Sequence, residues 1–124
     1  MQGIGIDIVE ISRIRAGLER HRSHFLDKIF TPQEQAYCLR YQDPVPHYAG
    51  RFCAKEAIAK ALGTGFQEGL SLLDIEICHT VEGKPYCRFS ERVEERLRTL
   101  QVLISISHCK EYATAVAYLL INKS

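Results

Sequence analysis

The run YAGRFCAKEAIAKAL at residues 48–62 constrains this chain more than any other stretch. Five alanines favour a helix, and Gly63 supplies its stop. Small and apolar side chains lie around its whole circumference, not along one stripe. A helix of that kind belongs in the middle of a domain, packed on most sides. Four charges, Arg51, Lys55, Glu56 and Lys60, are therefore its unusual feature.

The flanking segments define what surrounds this helix. Residues 3–9, GIGIDIV, alternate isoleucine with Gly3, Gly5 and Asp7, the period of a strand. One face is apolar, and the other leaves space around a carboxylate. Residues 11–28 form a helix with an apolar stripe of Ile11, Ile14, Leu18 and Phe25. Its flanks are basic, with Arg13, Arg20 and His24 on one side and Arg15 and Arg22 on the other. Thr31-Pro32-Gln33-Glu34 starts another helix through a capping box. That helix should end near Tyr41, and Pro44 and Pro46 mark a loop.

Further along, 74–79 reads as a strand, 82–85 as a turn and 86–89 as the return strand. Ser90 caps a helix with Val93, Leu97 and Leu100 inward, and strands follow at 103–107 and 113–120. Helices mixed with hairpin-linked strands predict an α+β class: a small antiparallel sheet packed with helices. With 124 residues, the whole of 1–124 is expected to form a single domain.

Charge and cysteine content exclude several functions. Sixteen lysines and arginines against fifteen acidic residues give a net charge of +1, which disfavours a nucleic-acid binder. The excess cations sit in residues 11–60, so an acidic partner should meet the first half. Five cysteines without a CxxC pair argue against zinc or a disulfide framework, and favour reduced thiols. The longest apolar run, Ala115 to Ile121, is far too short to span a membrane. No basic-then-apolar signal region opens the sequence. A soluble cytoplasmic protein is expected.

Each chemically suggestive residue also has a plain structural reading. Asp7 could be a solvated strand residue or a ligand for a hard cation. Glu56 and Lys60 could be a helical i,i+4 ion pair. Alternatively, Glu56 holds Mg²⁺ while Lys60 neutralises phosphate charge. The glycines of 63–69 follow a helix, so they are not a Walker loop or a dinucleotide fingerprint. His108 and Lys110 could be ordinary turn residues. The basic helix could be a solvated face or a dock for an acidic protein. Ser105 and Ser107 have no base and orienter that would make a hydrolase.

Taken together, Asp7 within GIGIDIVEI, GRFCAKEAIAKALGTG at 50–65, GKP at 83–85 and ISISHCKEYA at 104–113 stand in one order. This set resembles the holo-acyl-carrier-protein synthases, small 4′-phosphopantetheinyl transferases, over nearly the whole chain. Cys53 and Cys109 depart from the small or hydroxyl residues common there.

The resemblance implies a phosphopantetheinyl transferase-like fold assembling as a homotrimer, with active sites between subunits. It implies transfer of 4′-phosphopantetheine from coenzyme A to a serine of apo acyl carrier protein, releasing adenosine 3′,5′-bisphosphate, with Mg²⁺. Asp7 and Glu56 would be the metal ligands, and with Lys60 the catalytic set. Arg51, Lys55, Lys60, Gly63, Thr64, Gly65, Gly83, Lys84, Pro85, Ser107 and His108 would hold coenzyme A. Arg13, Leu18, Arg20, His24 and Phe25 would dock the carrier protein. The rival readings are a Mg²⁺-dependent phosphohydrolase and a non-catalytic module that binds acidic helices.

Overall fold

A computed structural model describes residues 2–63 and 69–121. Strand β1 (Gly3–Glu10) leads into α1 (Ile11–Ile29), α2 (Pro32–Cys38) and the central α3 (Val45–Ala61). A 3₁₀ turn (Leu72–Asp74) precedes the hairpin β2 (Ile75–His79) and β3 (Pro85–Phe89). Then come α4 (Glu91–Leu97), β4 (Leu100–His108) and β5 (Tyr112–Ile121). The three-stranded sheet has the order β1-β5-β4, all antiparallel, and β2-β3 forms a separate two-stranded sheet.

The α+β architecture expected from the pattern is the one observed, with α3 in the middle. Ala49, Cys53, Ala54, Ala57 and Ile58 of this helix are completely buried. Its start differs from expectation. Val45 and Pro46 belong to the helix, because proline's fixed φ suits the first turn, where its missing N–H costs nothing. The Thr31–Glu34 capping box forms in both directions. Ser90 precedes α4 without capping it, since its hydroxyl donates to Asp74 Oδ1 instead (2.7 Å). Leu100 opens β4 and is not part of α4.

The largest correction concerns β1. Its inward face is the glycine face. A Cβ on Gly5 would stand 2.0 Å from the Ala57 carbonyl oxygen, and one on Gly3 would stand 2.1 Å from that of Ala61. The strand therefore lies directly on the backbone of α3, a distance only glycine allows. Ala113, Ala115 and Ala117 of β5 continue this small-residue surface and are buried. The isoleucine face points away from the helix. Ile4, Ile6 and Ile8 are 72%, 65% and 65% exposed. Cross-strand pairing puts Tyr118, Val116 and Thr114 beside them, with Leu103, Ser105 and Ser107 beyond.

Gly5→Ala drives a methyl into a helix carbonyl that cannot move without shifting α3. We expect a loss of about 3 kcal/mol or more in urea unfolding, against well under 1 kcal/mol for Ile6→Ala on the exposed face of an isolated chain.

Candidate active site

Glycine packing sets Asp7 against α3. Lys60 Nζ donates to Asp7 Oδ1 (3.0 Å) and to the Ile6 carbonyl (3.0 Å). The i,i+4 pair between Glu56 and Lys60 does not form, because Lys60 reaches across to the strand. Thr114 Oγ1 holds the Asp7 carbonyl (2.7 Å) from the neighbouring strand. Asp7 and Glu56 line one cleft of about 330 Å³ with Arg13, Phe25 and Phe52. Burial, then the neighbouring Asp7, raises the Glu56 carboxyl above its ordinary value, against the pull of Lys60. Two carboxylates that repel each other in a half-buried cleft suit a hard cation. Mg²⁺ characteristically takes one or two protein carboxylates and completes its shell with substrate phosphates and water. Among the described residues no cluster of three or more such ligands exists.

A second cleft lies elsewhere on α3. Arg51 and Glu56 are five positions apart, about 140° around the helix. Arg51 is 3% exposed, and among the described residues no carboxylate pairs with it; its Nε has no hydrogen-bond partner. It lines a cleft of about 210 Å³ with Tyr37, Tyr41, His47, His79, Gly83, Pro85 and His108. His47 stacks on Tyr41 and meets His108 edge-on, 5.6 Å between centroids. Burial, His108 and Arg51 all lower the His47 imidazole's pKa. Gly83 needs its hydrogen side chain, since its φ of +90° is the turn conformation that joins β2 to β3. This cleft shares no lining residue with the Asp7 cleft. Asp7 is on edge strand β1 and His108 on the opposite edge strand β4, with β5 between.

Several expected residues behave differently. Lys55 is not available to coenzyme A. It is 0% exposed, paired with Glu34 Oε1 (2.6 Å), and it donates to the Ile29 and Leu72 carbonyls (3.0 Å for the latter). Leu18 is buried in the core and cannot dock a partner. Arg13, Arg20 and His24 are exposed on α1, and Phe25 is half-buried over Gly17. Gly63, Lys84, Ser107 and His108 are exposed, and Pro85 opens β3. Thr64 and Gly65 lie outside the described residues. Sequence reasoning missed Tyr37, Tyr41, His47 and His79. No local signal marks them, because they come from α2, the turn after it, α3 and β2, which only the fold brings together.

The α+β domain thus carries paired carboxylates and a lysine on one flank and a buried arginine cleft on the other. Residues 3–117 match the 4′-phosphopantetheinyl transferase superfamily, and the chain belongs to that family. The holo-[acyl-carrier-protein] synthase of Protochlamydia amoebophila is 51% identical over 115 residues, covering 93% of this chain and 94% of that protein. The same-named protein of Chlamydia caviae is 52% identical over 118 residues, covering 95% and 96%. Among solved structures, holo-[acyl-carrier-protein] synthase from Neisseria meningitidis superposes with a TM-score of 0.87 at 33% identity, covering 95% of this chain and 97% of that one. The Helicobacter pylori synthase, in complex with coenzyme A, gives 0.84 at 36%, covering 94% and 99%.

Two outcomes test the electrostatics. Lys55→Met strands the buried Glu34 carboxylate and should cost about 3–5 kcal/mol of stability. The KM for coenzyme A of the folded fraction should stay unchanged. For Glu56 the sign is opposite. A carboxyl whose folded pKa is raised favours the fold when protonated, and that contribution is lost as pH rises through the folded value. Glu56→Gln should therefore melt higher than the parent at neutral pH, with the advantage vanishing below pH ~4. Thermal melts across pH read this directly.

Proposed function

We propose that this chain transfers 4′-phosphopantetheine from coenzyme A to a serine hydroxyl of apo acyl carrier protein. The observation that carries the reading is the Asp7–Glu56–Lys60 grouping, together with a separate cleft whose buried arginine has no carboxylate partner among the described residues. Asp7 and Glu56 would hold Mg²⁺, which when bound draws charge from the phosphate oxygens. Lys60, already turned towards Asp7, is placed to neutralise the phosphate under attack. Phosphoryl-type transfer depends on such positioning and charge neutralisation more than on a strong nucleophile. The serine oxygen bonds to the β-phosphorus, the pyrophosphate P–O bond breaks, and adenosine 3′,5′-bisphosphate leaves. The serine proton goes to Glu56 or to a water ordered by the bound metal, either of which stands beside the nucleophile in this reading.

Arg51, Gly83, Lys84, Pro85, Ser107 and His108 form the nucleotide side in this reading. Gly63 is assigned there as well. The acidic carrier protein meets Arg13, Arg20, His24 and Phe25 on α1, where arginines supply register and the phenyl ring supplies area.

The same reading includes assembly of three copies. The two half-sites lie on opposite edges of one sheet, so one copy's Asp7 side needs another's Arg51 side to enclose a molecule as long as coenzyme A. The face that would join them is apolar: Ile4, Ile6, Ile8, Leu103, Val116 and Tyr118. Contiguous exposed apolar surface of this kind marks an interface.

Intact-mass measurement of apo acyl carrier protein, after incubation with this chain, coenzyme A and Mg²⁺, tests the reaction. A gain of one phosphopantetheine group, abolished by EDTA and by Glu56→Gln, is expected. No gain with folded protein would overturn the reading. Ile6→Lys tests the assembly: light scattering should fall to the mass of one chain, and turnover should be lost while the melting transition remains. A trimer that persists with the lysine in place contradicts the assigned interface.

A further inference from the structure

Arg51 reaches the nucleotide cleft through a contact that neither the reaction nor the sequence motifs explain. Its Nη2 lies 2.8 Å from His79 Nδ1. A guanidinium has donors only. The contact is a hydrogen bond only if Nδ1 carries a lone pair, which requires a neutral imidazole. The surroundings enforce that form: burial first, then Arg51 and His47, push the His79 imidazole down to about 4. The ring is also locked in plane. It stacks on Tyr37 with centroids 4.6 Å apart and an interplanar angle of 7°. The Arg51 guanidinium lies 3.9 Å from the centroid of the same tyrosine ring.

Three elements meet in this clamp: Tyr37 from α2, Arg51 from α3 and His79 from the end of β2. His79 directly precedes the turn that carries Gly83 and Lys84. That turn is closed by Thr80 N to the Lys84 carbonyl (2.9 Å), Gly83 N to the Thr80 carbonyl (2.9 Å) and Lys84 N to Thr80 Oγ1 (3.0 Å). Arg51 and the turn are therefore fixed relative to each other through one imidazole.

The choice of imidazole has a physical reason. A carboxylate at position 79 would orient Arg51 equally well, but would also cancel its charge. A neutral acceptor fixes direction and leaves the full positive charge for an incoming anion. The buried guanidinium, with no carboxylate partner among the described residues and with Nε unpartnered, is in the state such a device produces. A buried charge without a counter-charge is costly until its anion arrives.

We propose that His79 is a positioning residue, whose neutral imidazole and Tyr37 stacking hold Arg51 in the orientation that receives a phosphate of coenzyme A. This rests on the reading of the Arg51 cleft as the nucleotide side.

The experiment uses the full chain, with adenosine 3′,5′-bisphosphate binding by calorimetry and steady-state kinetics in coenzyme A. His79→Leu should weaken bisphosphate binding and raise KM about tenfold, with kcat at saturation within about twofold. His79→Asn returns an acceptor near the Nδ1 position and should restore binding to within about threefold. In an Arg51→Leu background, His79→Leu should add no further loss, because a residue acting through Arg51 has nothing left to act on. His79→Ser replaces leucine in the same series if the leucine variant does not fold. Parent-like binding by His79→Leu alongside a large loss in Arg51→Leu would overturn the positioning role and leave the nucleotide cleft standing. A loss that persists in His79→Asn, or that adds in full to Arg51→Leu, overturns it too. Parent-like binding by Arg51→Leu would remove the nucleotide reading of the cleft, and the inference with it.

Discussion

The close approach of β1 to the backbone of α3 is the constraint on which the rest of this structure depends. Gly3 and Gly5 allow the strand to sit against the carbonyls of Ala57 and Ala61, where no side chain fits. The alanines of β5 keep the same spacing one strand further in. Two consequences follow from one geometry. Asp7, two residues beyond Gly5 on the same face, is delivered to Lys60 and to the cleft it shares with Glu56. The isoleucines of the strand are turned outward, onto a face the single chain does not cover.

Helix α3 carries nearly all the relevant charge, and the fold uses each charge differently. Lys55 is buried against Glu34, and Glu34 also accepts from Thr31 N (2.9 Å) and Ile77 N (2.8 Å). That carboxylate joins α2, α3 and β2, and a buried pair so fully hydrogen-bonded fixes the helix in rotation. Arg51 is buried without a counter-charge among the described residues, and Glu56 and Lys60 sit beside Asp7 nearer the surface. Adjacent residues 55 and 56 point about 100° apart, so one belongs to the framework and the next to the site.

Much of this was legible in the sequence. The alanine-rich composition of 48–62 identified the central helix, and the Thr31 box identified the start of α2. The order of the Asp7, KEA-containing, GKP and ISISH segments pointed to the family and to the carboxylate–lysine set. Other assignments were not legible, for specific reasons. Lys55 looks like a ligand residue because a motif does not say which side of a helix faces the core. Leu18 looks like an anchor because an apolar stripe on a surface helix reads the same whether it packs inward or docks outward. Alternating Gly and Ile in β1 gives two faces, but the pattern alone does not say that backbone will fill the empty one.

The sequence by itself determined the element types, the central helix and the chemical identity of the groups at the site. Local backbone preference, side-chain period and turn chemistry suffice for those. Tertiary structure decided which face of β1 is inner, that Lys55 and Glu34 are one buried unit, and that Tyr37, His47 and His79 gather around Arg51. Those outcomes depend on distances between residues far apart in the chain. Packing sets such distances, because a strand resting on helix backbone leaves only one arrangement of everything attached to it.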